Sequence, residues 1–174
     1  MLFRSGLGTG SRIHALDRQP LECVDPGTRA KALATDSVAP AKRPTTAALE
    51  QRAARTAQGL AQGLANLKRV RDAGIPIALG TDAGNPLTLH GASVFMELEA
   101  MQAAGLTPLE VLVAATRTGA RALGLDSTGT VTAGATADLV VLDADPLADI
   151  RNVRRIALVV HRGEVYTRRE LEYR

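Results

Sequence analysis

Asp82 is the residue whose type and setting most clearly predict chemistry. It lies in the segment GTDAG (residues 80–84), directly after the short apolar run IPIAL (residues 75–79). Such a run after a helix is typical of a buried parallel strand, and α/β folds place their chemistry at the carboxyl ends of such strands. A carboxylate there can ligate a divalent metal and accept a proton from an attacking water. Capping of the following turn or helix is the simpler alternative.

His90 is the second candidate, because it follows the same segment in a His-Gly pair. An imidazole can contact substrate, although a lone histidine before glycine is also an ordinary loop residue. For Thr81 and Asn85, which neighbour this segment, we expect roles in turn formation and hydrogen bonding before any role in chemistry. A calcium loop is not predicted for the four clustered aspartates further along, because the DxDxDG order and terminal glutamate of an EF-hand are absent: Asp138, Asp143, Asp145 and Asp149.

A long amphipathic helix is predicted before the Asp82 strand. Its stripe recurs at intervals of three and four residues and ends near Gly74: Leu49, Ala53, Thr56, Leu60, Leu64, Leu67 and Val70. The helix contains the repeat QGLAQGLA, with Gly59 and Gly63 four residues apart. Each glycine costs up to about 1 kcal/mol relative to alanine, so we expect close packing against another element there.

Two further helices are predicted after the strand. The first covers about residues 91–104. The second begins with Thr107 as N-cap, Pro108 in the first turn and Glu110 as the capping-box glutamate, and it ends at Gly124. The predicted order over residues 46–125 is therefore helix, strand, helix, helix.

From Thr128 the pattern changes to short β-like runs separated by turn glycines. The runs cover residues 130–132, 139–142, 156–160 and 164–167, with glycines at 129, 134 and 163. Residues 1–45 show no sustained period and are predicted to be irregular. We therefore divide the chain into an irregular segment (1–45), an α/β portion (46–126) and a β-rich segment (127–174).

Composition restricts the class of protein. The chain has 174 residues, 45% of them apolar and 22% charged, with a net charge of +3, which is typical of a soluble globular domain. Nucleic-acid binding is not predicted, because no aromatic platform accompanies the arginines near the carboxyl end. No membrane span or secretion signal is predicted. The single cysteine, Cys23, fits a reducing compartment, so we expect a cytoplasmic protein.

Four stretches of this sequence resemble the closing segment of the amidohydrolase superfamily. They are GIPIALGTDAGNPLTLHG, EVLVAATRTGARALGL, GTVTAGATADLVVLDADPL and VVHRGEVY, which occur in that family's order. The chain is most similar to the imidazolonepropionase-like and prolidase-like branch, over about residues 46–167. The resemblance implies an α/β fold: the C-terminal fragment of a TIM-like (β/α)8 metallo-dependent hydrolase barrel, plus part of a small β-sandwich.

The resemblance also implies a function. Asp82 aligns with the aspartate that ends the eighth barrel strand, where it would be both a catalytic residue and a metal ligand. The implied reaction is hydrolysis of carbon–nitrogen bonds. The implied cofactor is a divalent metal, with zinc as the expected ion. His90 would contact the substrate, a small amide or peptide-like molecule. No nucleic acid or membrane partner is implied, and a homo-oligomer remains open.

The chain also departs from the family's pattern. Members of this type carry a His-x-His strand, a Lys or Glu from a middle strand, and two further histidines. This sequence has three histidines, none in a His-x-His: His14, His90 and His161. We therefore expect a truncated hydrolase that is inactive and binds zinc weakly on its own. One alternative is a non-catalytic remnant that acts as an interaction or assembly module. Another is a small α/β protein that binds an anion at GTDAG, but this sequence lacks the glycine-rich fingerprint expected of such proteins.

Overall fold

The computed structural model describes residues 3–4, 26–30, 45–83 and 89–171. It is mixed α/β, as predicted. Residues 26–30 are helical. The other elements, in chain order, are β1 (Phe3–Arg4), α1 (Thr46–Asp72), β2 (Ile77–Ala78), α2 (Ala92–Ala103), α3, β3 (Leu139–Leu142), a 3-10 helix (Ile150–Arg154), β4 (Ile156–His161), β5 (Glu164–Thr167) and α4 (Arg168–Leu171). Helix α3 consists of Pro108–Val113, the π turn Ala114–Thr118 and Gly119–Ala122. The helix, strand, helix, helix order is thus confirmed.

Strands β1 and β2 form a two-stranded parallel sheet. Phe3 pairs with Ile77 and Arg4 with Ala78. Within residues 1–45, the structure describes strand β1, the helical segment 26–30 and Thr45; the other residues lie outside the described ranges, so the mostly irregular segment predicted there stays a prediction. The strand predicted over 75–79 is shorter than expected. The hydrogen-bonded pairing of β2 extends only over the two residues of β1. In addition, Pro76 has no N–H that could donate to a neighbouring strand.

Helix α1 is buried only in its carboxyl-terminal half. Its N-cap Thr45 accepts a hydrogen bond from the Ala48 N–H at 3.3 Å, and Gly74, at φ 69°, follows its end as predicted. Leu67 is fully buried. The described side chains of residues 46–59 are exposed, except for half-buried Thr56. Within the described ranges, neither α1 nor any other helix is long and apolar enough to cross a membrane.

The close packing expected at Gly59 is not found among the described residues. Gly59 is exposed, and a Cβ placed on it would meet no atom of the described residues within 4 Å. Its cost to the helix is not offset by contacts within the described part of the chain.

One core joins helices α1, α2 and α3, strand β2 and the 3-10 helix. Its buried residues come from each of these elements and from the α2–α3 connection: Leu67, Ile77, Leu98, Met101, Ala104, Leu106, Val111, Ala114, Ile150 and Val153. Leu142 at the end of β3 packs against the same cluster. The β-rich segment therefore packs beside the helices.

Strands β3, β4 and β5 form an antiparallel sheet in that order. Three of the four predicted runs match these strands within one residue. Residues 130–132 are not a strand. Val131 is 85% exposed, and no strand of the described chain pairs with this run. The three-part division of the chain remains a prediction.

Candidate active site at the end of β2

Asp82 lies beyond the carboxyl end of β2, as predicted. The strand ends at Ala78, and residues 79–81 lead to the exposed Asp82 side chain. Ile77 is 8% exposed and Ala78 is 6% exposed, so the strand is anchored in the core immediately before this segment. A buried parallel strand followed by an exposed carboxylate is the arrangement by which α/β folds present reactive groups.

The residue after β2 is held by α3. The Leu79 N–H donates a hydrogen bond to the Ala114 carbonyl oxygen at 3.0 Å, and the Leu79 side chain packs against the core. Ala114 is the first residue of the π turn Ala114–Thr118 and is 2% exposed. Sequence reasoning missed this contact, because no proline or glycine within the π turn distinguishes it from ordinary α-helix.

His90 lies in a turn at the start of α2, with an exposed side chain. Its carbonyl oxygen accepts a hydrogen bond from the Ala92 N–H at 2.9 Å, and Gly91, at φ 75°, is the N-cap. Residues 84–88, which connect the Asp82 region to this turn and include Asn85, lie outside the described residues. The substrate contact predicted for His90 remains a prediction.

Glu97 is a buried carboxyl residue that sequence reasoning did not single out. It is 1% exposed and lies on α2, one helical turn after buried Ser93, whose hydroxyl donates to the Leu89 carbonyl at 2.7 Å. The four-residue spacing places Ser93 and Glu97 on one helix face. That spacing was the available signal, although the mixed sequence ASVFMELEA around it resembles an ordinary helix.

Asp138 and His161 stabilise a hairpin away from β2. One Asp138 carboxylate oxygen accepts the Arg162 backbone N–H at 2.8 Å and lies 3.0 Å from the His161 Nδ1. The Arg162 N–H, and then His161, hold the pKa of Asp138 below its usual value. These contacts close the β4–β5 turn, in which Arg162 has a φ of 52°.

Two more of the clustered aspartates also organise local turns. Asp145 accepts the Leu147 N–H at 2.8 Å, and Asp149 accepts the Arg151 N–H at 2.9 Å. The Arg151 side chain lowers the pKa of Asp149 by hydrogen bonding to it. Local turn formation therefore accounts for both carboxylates.

The described residues do not by themselves form a metal site. An aspartate at a strand end is a suitable ligand for a divalent cation. Among residues 3–4, 26–30, 45–83 and 89–171, however, no group of three or more His, Cys, Asp or Glu side chains is close enough to hold a metal ion. A catalytic zinc typically has three protein ligands, so a zinc ion at Asp82 would need further ligands from outside the described part of the chain.

Known proteins similar to this chain are hydrolases. The model of the amidohydrolase family matches residues 19–166. Imidazolonepropionase from Mycolicibacterium smegmatis is 38% identical over 101 residues, which cover 56% of this chain and 26% of the relative. Ochratoxinase from Aspergillus niger is 37% identical over 92 residues, which cover 51% of this chain and 18% of the relative. The chain thus spans between about a fifth and a quarter of these relatives.

A solved structure covers more of the chain. A candidate prolidase from Bifidobacterium longum superimposes with a TM-score of 0.64 at 27% identity, over 95% of this chain and 35% of that protein. The likeness therefore extends over nearly all of this chain and about a third of the larger protein.

Proposed function

The chain belongs to the amidohydrolase family, and from this membership we propose that it supplies Asp82 to an enzyme that hydrolyses carbon–nitrogen bonds with a divalent metal. One observation carries the proposal: the exposed Asp82 carboxylate follows the carboxyl end of a buried parallel strand. The β1–β2 pairing supports a barrel origin, because parallel neighbours joined through helices are the repeating unit of a (β/α)8 barrel.

In the proposed mechanism, Asp82 has two tasks. Its carboxylate helps to hold the metal, and it accepts a proton from the attacking water and returns that proton to the leaving nitrogen. A divalent cation, when bound, supplies Lewis acidity that makes water a nucleophile near neutral pH. Strand β2, whose two residues are buried in the core, keeps the carboxylate in place while the proton moves.

The proposed substrate is a small amide. Relatives are an imidazolonepropionase and an ochratoxinase, and the structural neighbour is a candidate prolidase. Cyclic amides, dipeptides and acyl-amino acids all remain within this class. We propose that His90, exposed at the start of α2, contacts the substrate.

The remaining metal ligands are proposed to come from barrel strands outside this sequence or from another subunit. The sequence has three histidines and no His-x-His pair, which supports inactivity of the chain on its own. Zinc is the proposed metal in the assembled enzyme. The cytoplasm is the proposed compartment, because a single cysteine fits a reducing environment.

A hybrid enzyme tests the proposed function. Residues 45–171 of this chain would replace the corresponding segment of the M. smegmatis imidazolonepropionase, which is 38% identical to this chain over 101 residues. We expect turnover of the donor's own substrate that a chelator abolishes and zinc restores. The control is the donor rejoined to its own segment. A folded, metal-loaded hybrid without turnover would refute the proposed function.

A non-catalytic interaction module is the second candidate. Valines on β3 and β5 favour it: Val140 and Val165 are each 56% exposed. Exposed apolar side chains on a small sheet are typical of a surface that another element or chain covers. An inactive hybrid together with self-association of the isolated chain would support this candidate.

A further inference from the structure

We propose that Gly129 is a positioning residue for the Asp82 segment (residues 79–82), acting through the π turn Ala114–Thr118. The inference rests on the proposed function only for what Asp82 does. The mechanical link itself consists of two contacts, one on each side of the π turn. Gly129 belongs to the connection between α3 and β3, outside β2 and its neighbouring loops.

The first contact joins the π turn to the Asp82 segment. The Ala114 carbonyl accepts the Leu79 N–H at 3.0 Å, so a carbonyl of helix α3 bonds to the chain leaving β2. Both residues belong to or pack against the core, where water cannot readily replace a lost partner. Asp82 follows Leu79 by three residues. A shift of the π turn therefore moves the start of the segment that carries the carboxylate.

The second contact joins Gly129 to the π turn. Gly129 has a φ of 82°, and a Cβ placed on it would lie 2.9 Å from the Thr116 carbonyl oxygen, 3.0 Å from the Arg117 Cα and 2.8 Å from the Ala120 Cβ. Two of these atoms are backbone atoms of the π turn. A side chain at position 129 therefore forces either the π turn or the connection that carries residue 129 to shift. The proposal is that the π turn shifts.

The π turn is suited to this role. A π-helical turn inserts an extra residue into a helix and is found frequently at functional sites. Reacting groups must be held within a fraction of an ångström of their productive geometry. Gly129 therefore acts at a distance: it allows the close approach that keeps the π turn, and hence Leu79, in place.

A pair of matched glycine variants separates this role from a general stability effect. Gly134 has a φ of 88°, close to that of Gly129, but a Cβ placed on it would meet no described atom within 4 Å. Gly129→Ala and Gly134→Ala therefore carry similar backbone strain, while only the first presses on the π turn. Both would be made in the full 174-residue chain and studied by NMR.

The readouts are amide hydrogen exchange at Leu79 and Met101, and residual dipolar couplings over residues 79–82. Met101, which is fully buried, reports global opening. We expect Gly129→Ala to speed Leu79 exchange at least about tenfold more than Met101 exchange and to change the couplings, since a local bond is lost. Gly134→Ala should change the exchange of both amides equally. If Gly129→Ala also accelerated exchange at Leu79 and Met101 equally, Gly129 would have only a structural role.

A wild-type measurement keeps the inference testable if Gly129→Ala does not fold. The scalar coupling across the hydrogen bond between the Leu79 nitrogen and the Ala114 carbonyl carbon should be detectable. None of these readouts requires turnover, so an inactive hybrid leaves the positioning link standing and refutes only the proposed function. Absence of the coupling, in a chain whose other core hydrogen bonds give one, would overturn the positioning link.

Discussion

At the scale of single residues, the Glu110 carboxylate joins two helices. It accepts the Thr107 N–H at 2.7 Å and the Thr107 hydroxyl at 2.9 Å, which completes the predicted capping box. It also accepts hydrogen bonds from the Arg71 Nε at 3.0 Å and from the Arg71 Nη2 at 3.2 Å. Hydrogen bonds from Arg71 first, and then from Thr107, lower the pKa of Glu110.

This arrangement predicts acid-sensitive stability. A carboxyl group whose pKa is lower in the folded state contributes fully above its unfolded pKa of about 4.3 and loses that contribution as the pH falls through the folded pKa. Glu110→Gln should lower the free energy of unfolding by about 1 kcal/mol at pH 7. The gap between wild type and variant should close as the pH falls below about 4. Urea titrations at several pH values measure it.

The control for that titration is Glu50→Gln, which changes an exposed carboxylate on α1. At pH 7 its unfolding free energy should stay within about 0.5 kcal/mol of the wild-type value, as for other surface substitutions. A Glu110→Gln gap that stays constant down to the lowest pH at which the chain folds would contradict the assigned role of Glu110.

Gly59 gives a second prediction at this scale. Because a Cβ there would meet none of the described residues, Gly59→Ala should stabilise α1 by up to about 1 kcal/mol. Thermal unfolding followed by circular dichroism measures the change. Destabilisation would mean that Gly59 packs against an element outside the described residues.

At the scale of elements, Arg154 fastens the 3-10 helix to α2. Its guanidinium donates to Glu99 Oε1 from Nε at 3.0 Å and from Nη2 at 2.7 Å, and it lies 4.8 Å from the centroid of the Phe95 ring. Ile150 and Val153 of the same 3-10 helix enter the core. The sheet β3–β4–β5 is therefore attached to the helices through this short element.

Arg154→Ala should therefore lower the free energy of unfolding by about 1–2 kcal/mol, because a partly buried ion pair and a cation–π contact are both lost. The matched control is Arg151→Ala. Arg151 is 72% exposed and pairs with Asp149 two residues away, so its loss should change stability by less than about 0.5 kcal/mol. Equal effects in urea denaturation would show that Arg154 does not join the two elements.

Elements with local signals were predictable from the sequence. The capping box at Thr107 and the turn glycines Gly74 and Gly163 act on residues only a few positions away, and the structure confirms them. The β1–β2 pairing was not predictable, because two residues such as Phe3–Arg4 show no period. Its partner lies more than seventy positions along the chain. The run at 130–132 shows the opposite case: it has strand propensity, but no strand among the described residues pairs with it.

The candidate site was predictable to a similar extent. The position of Asp82 follows from a strand and a turn that adjoin in sequence. The link from Gly129 through the π turn to Leu79 depends on how three distant segments pack, and no local pattern indicates it. The burial of Glu97 likewise depends on which face of α2 meets the core.

At the scale of the whole molecule, the chain spans 26% of the imidazolonepropionase and 18% of the ochratoxinase that it matches. The described residues contribute one metal-ligand candidate, Asp82. We therefore expect calorimetric titration of the isolated chain with zinc to show no stoichiometric binding at a sub-micromolar dissociation constant, since three ligands are typically needed. Stoichiometric tight binding that Asp82→Asn abolishes would instead mean that ligands assemble within the chain or across an oligomer.

The central claim is that Asp82 holds the metal and moves the proton, and the turnover number of the hybrid enzyme with and without its carboxylate tests this most directly. Asp82→Asn should lower kcat by about 10²- to 10⁴-fold, the range expected for loss of a positioned general base. Asp126→Asn, an exposed aspartate in the turn after α3, should leave kcat unchanged. A well-folded hybrid that keeps its full kcat after Asp82→Asn would contradict the account.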